Sequence, residues 1–137
     1  QTCALPIYLV AFYNDYDGSN EDTTSNSYIT TNSSITLTPS SSSSKFFIIA
    51  TFQAGNNTSA RRSYYRVFRD GNELTESTVN HEFLSSAASN ENPAAMTVYD
   101  SPNTGSSITY DIRYKSNGGG DTAKINYKNF SIFEFAS

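Results

Sequence analysis

The side chains in this sequence best equipped for chemistry are carboxylates, and two groups of them stand out. Asp15, Asp17, Glu21 and Asp22 flank Gly18 within the acidic stretch Asn14–Asn26. Grouped carboxylate oxygens are what calcium prefers, so these four are the candidate metal ligands. Their spacing is not that of an EF-hand, which would need an acidic or Asn residue in place of Tyr13 and a Glu in place of Thr24. The competing reading is a solvated acidic loop. The second group, Asp70, Asp100, Asp111 and Glu134, is scattered along the chain. Any two of them, held close together or on either side of a water, could cleave a glycosidic bond. Asp70 and Asp100 each adjoin turn residues, which favours turn roles for both.

Other catalytic chemistry has little to stand on. His81 is the single histidine, it lies in a polar stretch, and no serine carries the strained elbow sequence that a Ser-His-Asp triad uses. One histidine and one cysteine are too few for zinc or another metal held by nitrogen or sulfur. Gly118–Gly120 run into Asp121 and lack the lysine of a phosphate-binding loop. The expectation is a non-enzymatic protein with no cofactor. A net charge of −4 leaves no basic footprint for nucleic acid, and Arg61-Arg62 is the only adjacent basic pair. No apolar run approaches the roughly 18 residues of a membrane span, so no membrane insertion is expected.

What must position these residues is a set of strands. The composition is polar, with Ser, Thr and Asn making up more than a third, yet 14% of residues are aromatic. Disordered chains are poor in aromatic and β-branched residues, and a pleated sheet favours them. Strands are expected at Tyr8–Tyr13, Tyr28–Thr31, Ser34–Thr38, Lys45–Ala54, Ser63–Asp70, Glu73–Val79, Ala95–Asp100, Ser107–Lys115, Thr122–Tyr127 and Phe130–Ala136. Lys45–Ala54 is apolar on both faces at its start, the mark of a central strand covered on both sides. Ser107–Lys115 alternates without a fault, which places Ile108, Tyr110, Ile112 and Tyr114 inward and Thr109, Asp111, Arg113 and Lys115 outward. Asp70-Gly71 signals a hairpin, Asn117–Asp121 with its three glycines a second one, and Pro39 with Ser40–Ser44 a break. Phe83–Pro93 is ambiguous and has room for a helical turn. Eight to ten short strands punctuated by turn residues indicate an all-β, antiparallel sandwich of jelly-roll type.

The length suits one domain. Gln1–Ile7 (QTCALPI) reads as the translation of a common short-read sequencing adapter joined to a gene, and such a scar is set apart from fold reasoning. Residues 8–137 are then the sandwich domain, without a cysteine and so without a disulfide framework. A start at Gln1 with no initiator methionine is what a fragment of a longer reading frame shows.

Several motifs in order resemble a module of bacteriophage tail-fibre and related virion proteins. Ser25–Lys45 (SNSYITTNSSITLTPSSSSSK) and the apolar strand after it resemble that module's Tyr-containing strand and its Thr-Pro-Ser-Ser turn. Tyr65–Gly71 (YRVFRDG) is similar to its Arg-Asp-Gly hairpin, Tyr99–Tyr110 (YDSPNTGSSITY) to its Asp-Ser-Pro-Asn-Thr segment, and Ile125-Asn126 with Ser131–Phe135 to its closing strands. The resemblance covers Thr24 to the end, and the acidic Asn14–Asp22 segment lies outside it. It implies a jelly roll at the distal part of a virion appendage, located in the extracellular virion and assembled as a homotrimer. Loops would then be free for a host cell-surface glycan, with Asn56, Asn57, Arg61 and Arg62 as candidate receptor contacts. A carbohydrate-binding module of a secreted bacterial enzyme is the alternative, with Tyr-rich loops in its favour and the lack of tryptophan against it.

Overall fold

A computed structural model describes residues 7–74, 81–84 and 90–136, and every element among them is a strand. The ten strands are β1 Tyr8–Asp17, β2 Glu21–Thr23, β3 Ile29–Leu37, β4 Lys45–Asn56, β5 Arg62–Arg69, β6 Asn72–Glu73, β7 His81–Leu84, β8 Asn90–Asp100, β9 Ile108–Ser116 and β10 Ala123–Ala136. They form two antiparallel sheets. The first has the order β1-β10-β4-β8, with β2 also on β10; the second has β3-β9-β5-β6, with β7 also on β5. The chain is therefore an all-β sandwich of two packed sheets.

Alternation builds the core. Phe46, Ile48, Ala50 and Phe52 of β4, with Met96 and Val98 of β8 and Phe130 and Ile132 of β10, point from the first sheet toward the second. Tyr65 and Val67 of β5, Tyr110, Ile112 and Tyr114 of β9, and Ile35 and Leu37 of β3 meet them. The inward set expected of β9 is fully buried. Of its outward set, Asp111 is nearly covered as well, because Arg113 folds back on it with bonds of 2.7 and 3.0 Å. Ring contacts such as Phe52–Tyr65, with centroids 4.8 Å apart, join the two layers.

The Asp70-Gly71 hairpin forms as its sequence requires. Arg69 pairs with Asn72, and the two turn residues have φ of 48° and 80°. Positive φ at both positions is the two-residue turn that matches strand twist. Asp70 tolerates it because its carboxylate accepts from the Thr109 amide at 2.8 Å while its own amide donates to the Thr109 carbonyl. Gly71→Ala should cost about 1–2 kcal/mol from the left-handed backbone alone, since an added Cβ meets nothing closer than 3.9 Å. Urea unfolding reads this directly.

Several boundaries differ from the sequence reading. Tyr28–Thr31 and Ser34–Thr38 belong to one strand, β3, whose register on β9 shifts between Thr30 and Ser34. Thr122–Tyr127 and Phe130–Ala136 are likewise one strand, β10, with a bulge against β4 between Asn126 and Asn129. Gly118–Gly120 do not close a hairpin, because β9 and β10 lie in different sheets. The acidic stretch is largely strand: β1 runs through Asp17, and β2 resumes at Glu21 along the same partner. Of the strand expected at Glu73–Val79, only Glu73 lies in β6 and 75–80 are outside the described residues. In the ambiguous Phe83–Pro93 segment, β7 ends and β8 begins, and 85–89 are outside the described residues. The segment set apart as a scar also lies outside them, apart from Ile7.

Candidate functional site

The four calcium candidates do not converge on an open oxygen cage. Gly18, Ser19 and Asn20 interrupt the β1–β2 edge opposite the β10 bulge, and that bulge turns Lys128 inward. Lys128 is completely buried, and its ammonium donates to the Ser19 carbonyl at 2.9 Å. It lies 2.8 Å from Glu21 Oε1 and 3.2 Å from Asp17 Oδ2. The three N–H donors of an ammonium thus face three oxygens. Asp15 is taken up elsewhere, accepting from the Ser33 hydroxyl at 2.7 Å, and Asp22 is exposed on β2. The Asp17 carboxyl is held below its ordinary range. The Ser19 amide at 2.8 Å and hydroxyl at 2.7 Å are the main causes, Lys128 adds to them, and burial opposes. An internal cation therefore sits between Asp17 and Glu21, and no cluster of metal-ligating side chains occurs among the described residues. Millimolar calcium should leave the melting temperature of the protein where a chelator leaves it. A calcium-dependent rise would show a cation site at this edge.

The scattered carboxylates are also engaged separately. Glu134 is completely buried, and its Oε1 accepts from the Ser40 amide and hydroxyl, both at 2.6 Å, and from the Ser44 hydroxyl at 2.7 Å. The serine run read as a strand break is thus a turn wrapped on a carboxylate. Asp100 accepts from Arg69 Nη1 at 2.7 and 2.6 Å and from the Tyr110 hydroxyl at 2.7 Å, bracing β8 of one sheet against β5 and β9 of the other. Burial first, and then this bond to Asp100, drives the Tyr110 phenol above its ordinary value. Asp70 and Asp111 hold the contacts already given.

The sandwich has two ends. β1 begins and β10 ends at one of them, with Tyr8 opposite Ala136. The connections over 24–28, 57–61 and 117–122 lie at the other. The receptor candidates sit here, and the structure divides them. Asn56 is fully buried and cannot touch a receptor: its amide donates to the Ser63 hydroxyl at 3.0 Å and its carbonyl accepts from the Thr58 amide at 2.9 Å. Asn57 is exposed, yet its carbonyl is bound by the Thr122 amide at 2.7 Å, which zips 57–61 to 117–122. Arg61 reaches Asp121 at 3.5 Å, and Arg61 and Arg62 both lie on the surface. Below them the Tyr65 hydroxyl donates to the Lys124 carbonyl at 2.6 Å and accepts from the Gly55 amide at 3.2 Å, so the loop base is rigid.

Beside these loops the outer face of the second sheet carries a row that sequence reasoning missed. The Lys115 ammonium lies 4.7 Å from the Tyr28 ring centroid and 5.2 Å from that of Tyr64, and the Tyr64 hydroxyl donates to Asn117 at 3.1 Å. Further along, Arg113 lies over Phe68 at 4.4 Å, and Arg66 pairs with Glu73 at 2.9 Å. Tyr64 and Lys115 are direct cross-strand partners, so the row depends on the β5–β9 register. The only signal for it in the sequence is the outward phase of Lys115. Rings, a cation and amides side by side on a braced surface can stack on a sugar ring and bond its hydroxyls. Neither a protein-family model nor a curated protein matches the chain.

Proposed function

We propose that this chain is a structural module of a bacteriophage virion, forming the distal part of a tail fibre or similar appendage, and that it contacts a host-surface glycan. The observation that carries this reading is the Tyr28–Lys115–Tyr64 row with Arg61, Arg62 and Asn117, set at the end of the sandwich away from where β1 begins and β10 ends. A rigid scaffold that offers its recognition groups at one end is how sandwiches carry binding sites. The motif resemblance from Thr24 onward supplies the virion setting. The strand orders support a jelly roll: β1 and β10 are neighbours, and from β7 on each connection crosses between the sheets. A homotrimer in the particle belongs to the same reading.

Two measurements test it. In the source genome, tail or baseplate genes should flank the complete reading frame; a fused catalytic domain would instead indicate a carbohydrate-binding module of a secreted enzyme. On an array of bacterial surface polysaccharides the protein should bind, and Tyr64→Ala or Lys115→Ala should weaken binding about tenfold or more. No binding to any envelope polysaccharide would overturn the glycan contact.

A further inference from the structure

The outer face of the first sheet differs chemically from that of the second. Phe12, Phe133, Phe47 and Tyr99 are successive cross-strand partners, so one aromatic row crosses β1, β10, β4 and β8. Phe12 is 54% exposed, Phe47 37% and Tyr99 48%. Toward the strand ends Leu9 lies opposite Phe135, which faces Lys45, and a groove of about 330 Å³ opens between Phe47, Tyr99, Phe135 and Ala136. On the other side of the row lie Asn14, Ser131, Ile49 and Thr97. Across these three rows Lys45 is the single charged side chain, and its ammonium is bound by the Ser101 hydroxyl at 3.0 Å.

This is the face that the sequence of β4 marks as covered. Phe46, Phe47, Ile48 and Ile49 are apolar on both sides of the strand, the pattern of a sheet buried on both faces, yet among the described residues only the inner face is covered. Leu9, Phe12, Phe47 and Tyr99 together expose on the order of 400 Å² of side chain, taking about 150–250 Å² per full aromatic. That is within what a monomer's largest apolar patch reaches, about 300–600 Å², and the flanking rows of Asn14, Ser131, Ile49 and Thr97 and of Phe135 and Ala136 extend the face toward the ~800 Å² each partner gives a stable interface. We propose that this face is the contact between copies of this chain.

Two features select a second copy over a sugar. The rings lean on one another, Phe12 on Phe133 at 44° and Phe47 on Phe133 at 38°, and do not lie flat as a stacking platform would. The face is also nearly free of charge, so a chain of net charge −4 can bring it against itself without burying unpaired ions. The contact would serve the oligomer proposed above, but it stands whether or not the chain belongs to a virion or binds glycan.

Light scattering with size exclusion, run from low to high micromolar protein, tests the proposal. The wild type should show a mass that is a multiple of the 15.1 kDa chain. Phe12→Thr/Phe47→Thr/Tyr99→Thr should weaken self-association at least about thirtyfold, with the β-sheet circular dichroism retained. Thr97→Arg removes no packing and places a charge beside Tyr99, so it should do the same if the triple variant fails to fold. A wild type that stays a single chain at high micromolar concentration would overturn the proposal. So would a folded Thr97→Arg variant that keeps the wild-type mass.

Discussion

Replacing Lys128 by Ala should destabilise the protein by about 3–5 kcal/mol, the range for removing one partner from a buried ion pair. In a domain of this size that lowers the melting temperature by about 10 °C or more. The loss has three parts. The ammonium is wholly enclosed, and its departure strips the Glu21 carboxylate of its nearest cation at 2.8 Å, takes a partner from Asp17, and orphans the Ser19 carbonyl. These groups hold the Gly18–Asn20 interruption against β10, so the β1–β2 edge loosens with them. Lys128→Met keeps the length of the side chain but should fail similarly, because the two carboxylates remain. Adding Asp17→Asn and Glu21→Gln to it should recover part of the loss, since a wholly neutral cluster no longer buries unpaired charge. Urea unfolding of the four proteins checks the order. A Lys128→Ala variant within about 1 kcal/mol of wild type would mean that water reaches the site and the cluster is not a brace.

The sequence concealed this cluster for a definite reason. In the run Tyr127–Phe135, one face reads Lys, Phe, Ile, Glu at 128, 130, 132 and 134, and the other reads Tyr, Asn, Ser, Phe, Phe at 127, 129, 131, 133 and 135. Both are about equally apolar, so period-two alternation cannot say which points inward. The bulge settles it. Tyr127 takes a φ of 50°, the register against β4 shifts between Asn126 and Asn129, and the phase carrying both ions becomes the inner one. A bulge leaves little trace in composition, and here it looked like a gap between two strands. The acidic segment was read as a loop for a related reason: its carboxylates have no visible partner until a lysine more than a hundred residues away is folded under them.

Where one face is plainly apolar and the other polar, as on β9, the inward set was legible residue by residue, and only the cover that Arg113 gives Asp111 was not. Local turn chemistry was legible too, because Asp70-Gly71 specifies its own backbone. The loop end was half legible. Asn56, Asn57, Arg61 and Arg62 suggested a contact surface, but whether an amide faces out or ties a loop is decided by distant donors such as the Thr122 amide. The aromatic row of the first sheet required the pairing register of four strands that are all far apart in sequence. Only the doubly apolar start of β4 announced that something lay there.

At the other end of the same inner phase of β10, replacing Glu134 by Ala should cost on the order of 3 kcal/mol, because several donors aimed at one buried carboxylate are left without an acceptor. Burial alone would push this carboxyl up. The Ser40 and Ser44 hydroxyls, the Ser40 amide and the Tyr13 hydroxyl outweigh it and hold the group below its ordinary 4.5. A carboxyl whose value is lower in the folded protein binds fewer protons there than when unfolded, so stability rises with pH across the interval between the two values. The stabilisation should be complete above the ordinary carboxylate range and should disappear as pH falls through the lowered folded value. Asp17 is shifted in the same direction by the Ser19 amide and contributes in the same window. Wild type should therefore lose stability below about pH 4.5 more steeply than Glu134→Gln, which has no proton to take up at this position. Because a neutral amide can satisfy only some of the donors, Glu134→Gln should also start lower at neutral pH, and the two curves should converge in acid. Thermal melts from neutral pH to pH 3 measure both features. Parallel curves for the two proteins would show that the serine turn does not depend on an ionised Glu134, and the Pro39–Ser44 connection would then owe its shape to local turn chemistry alone.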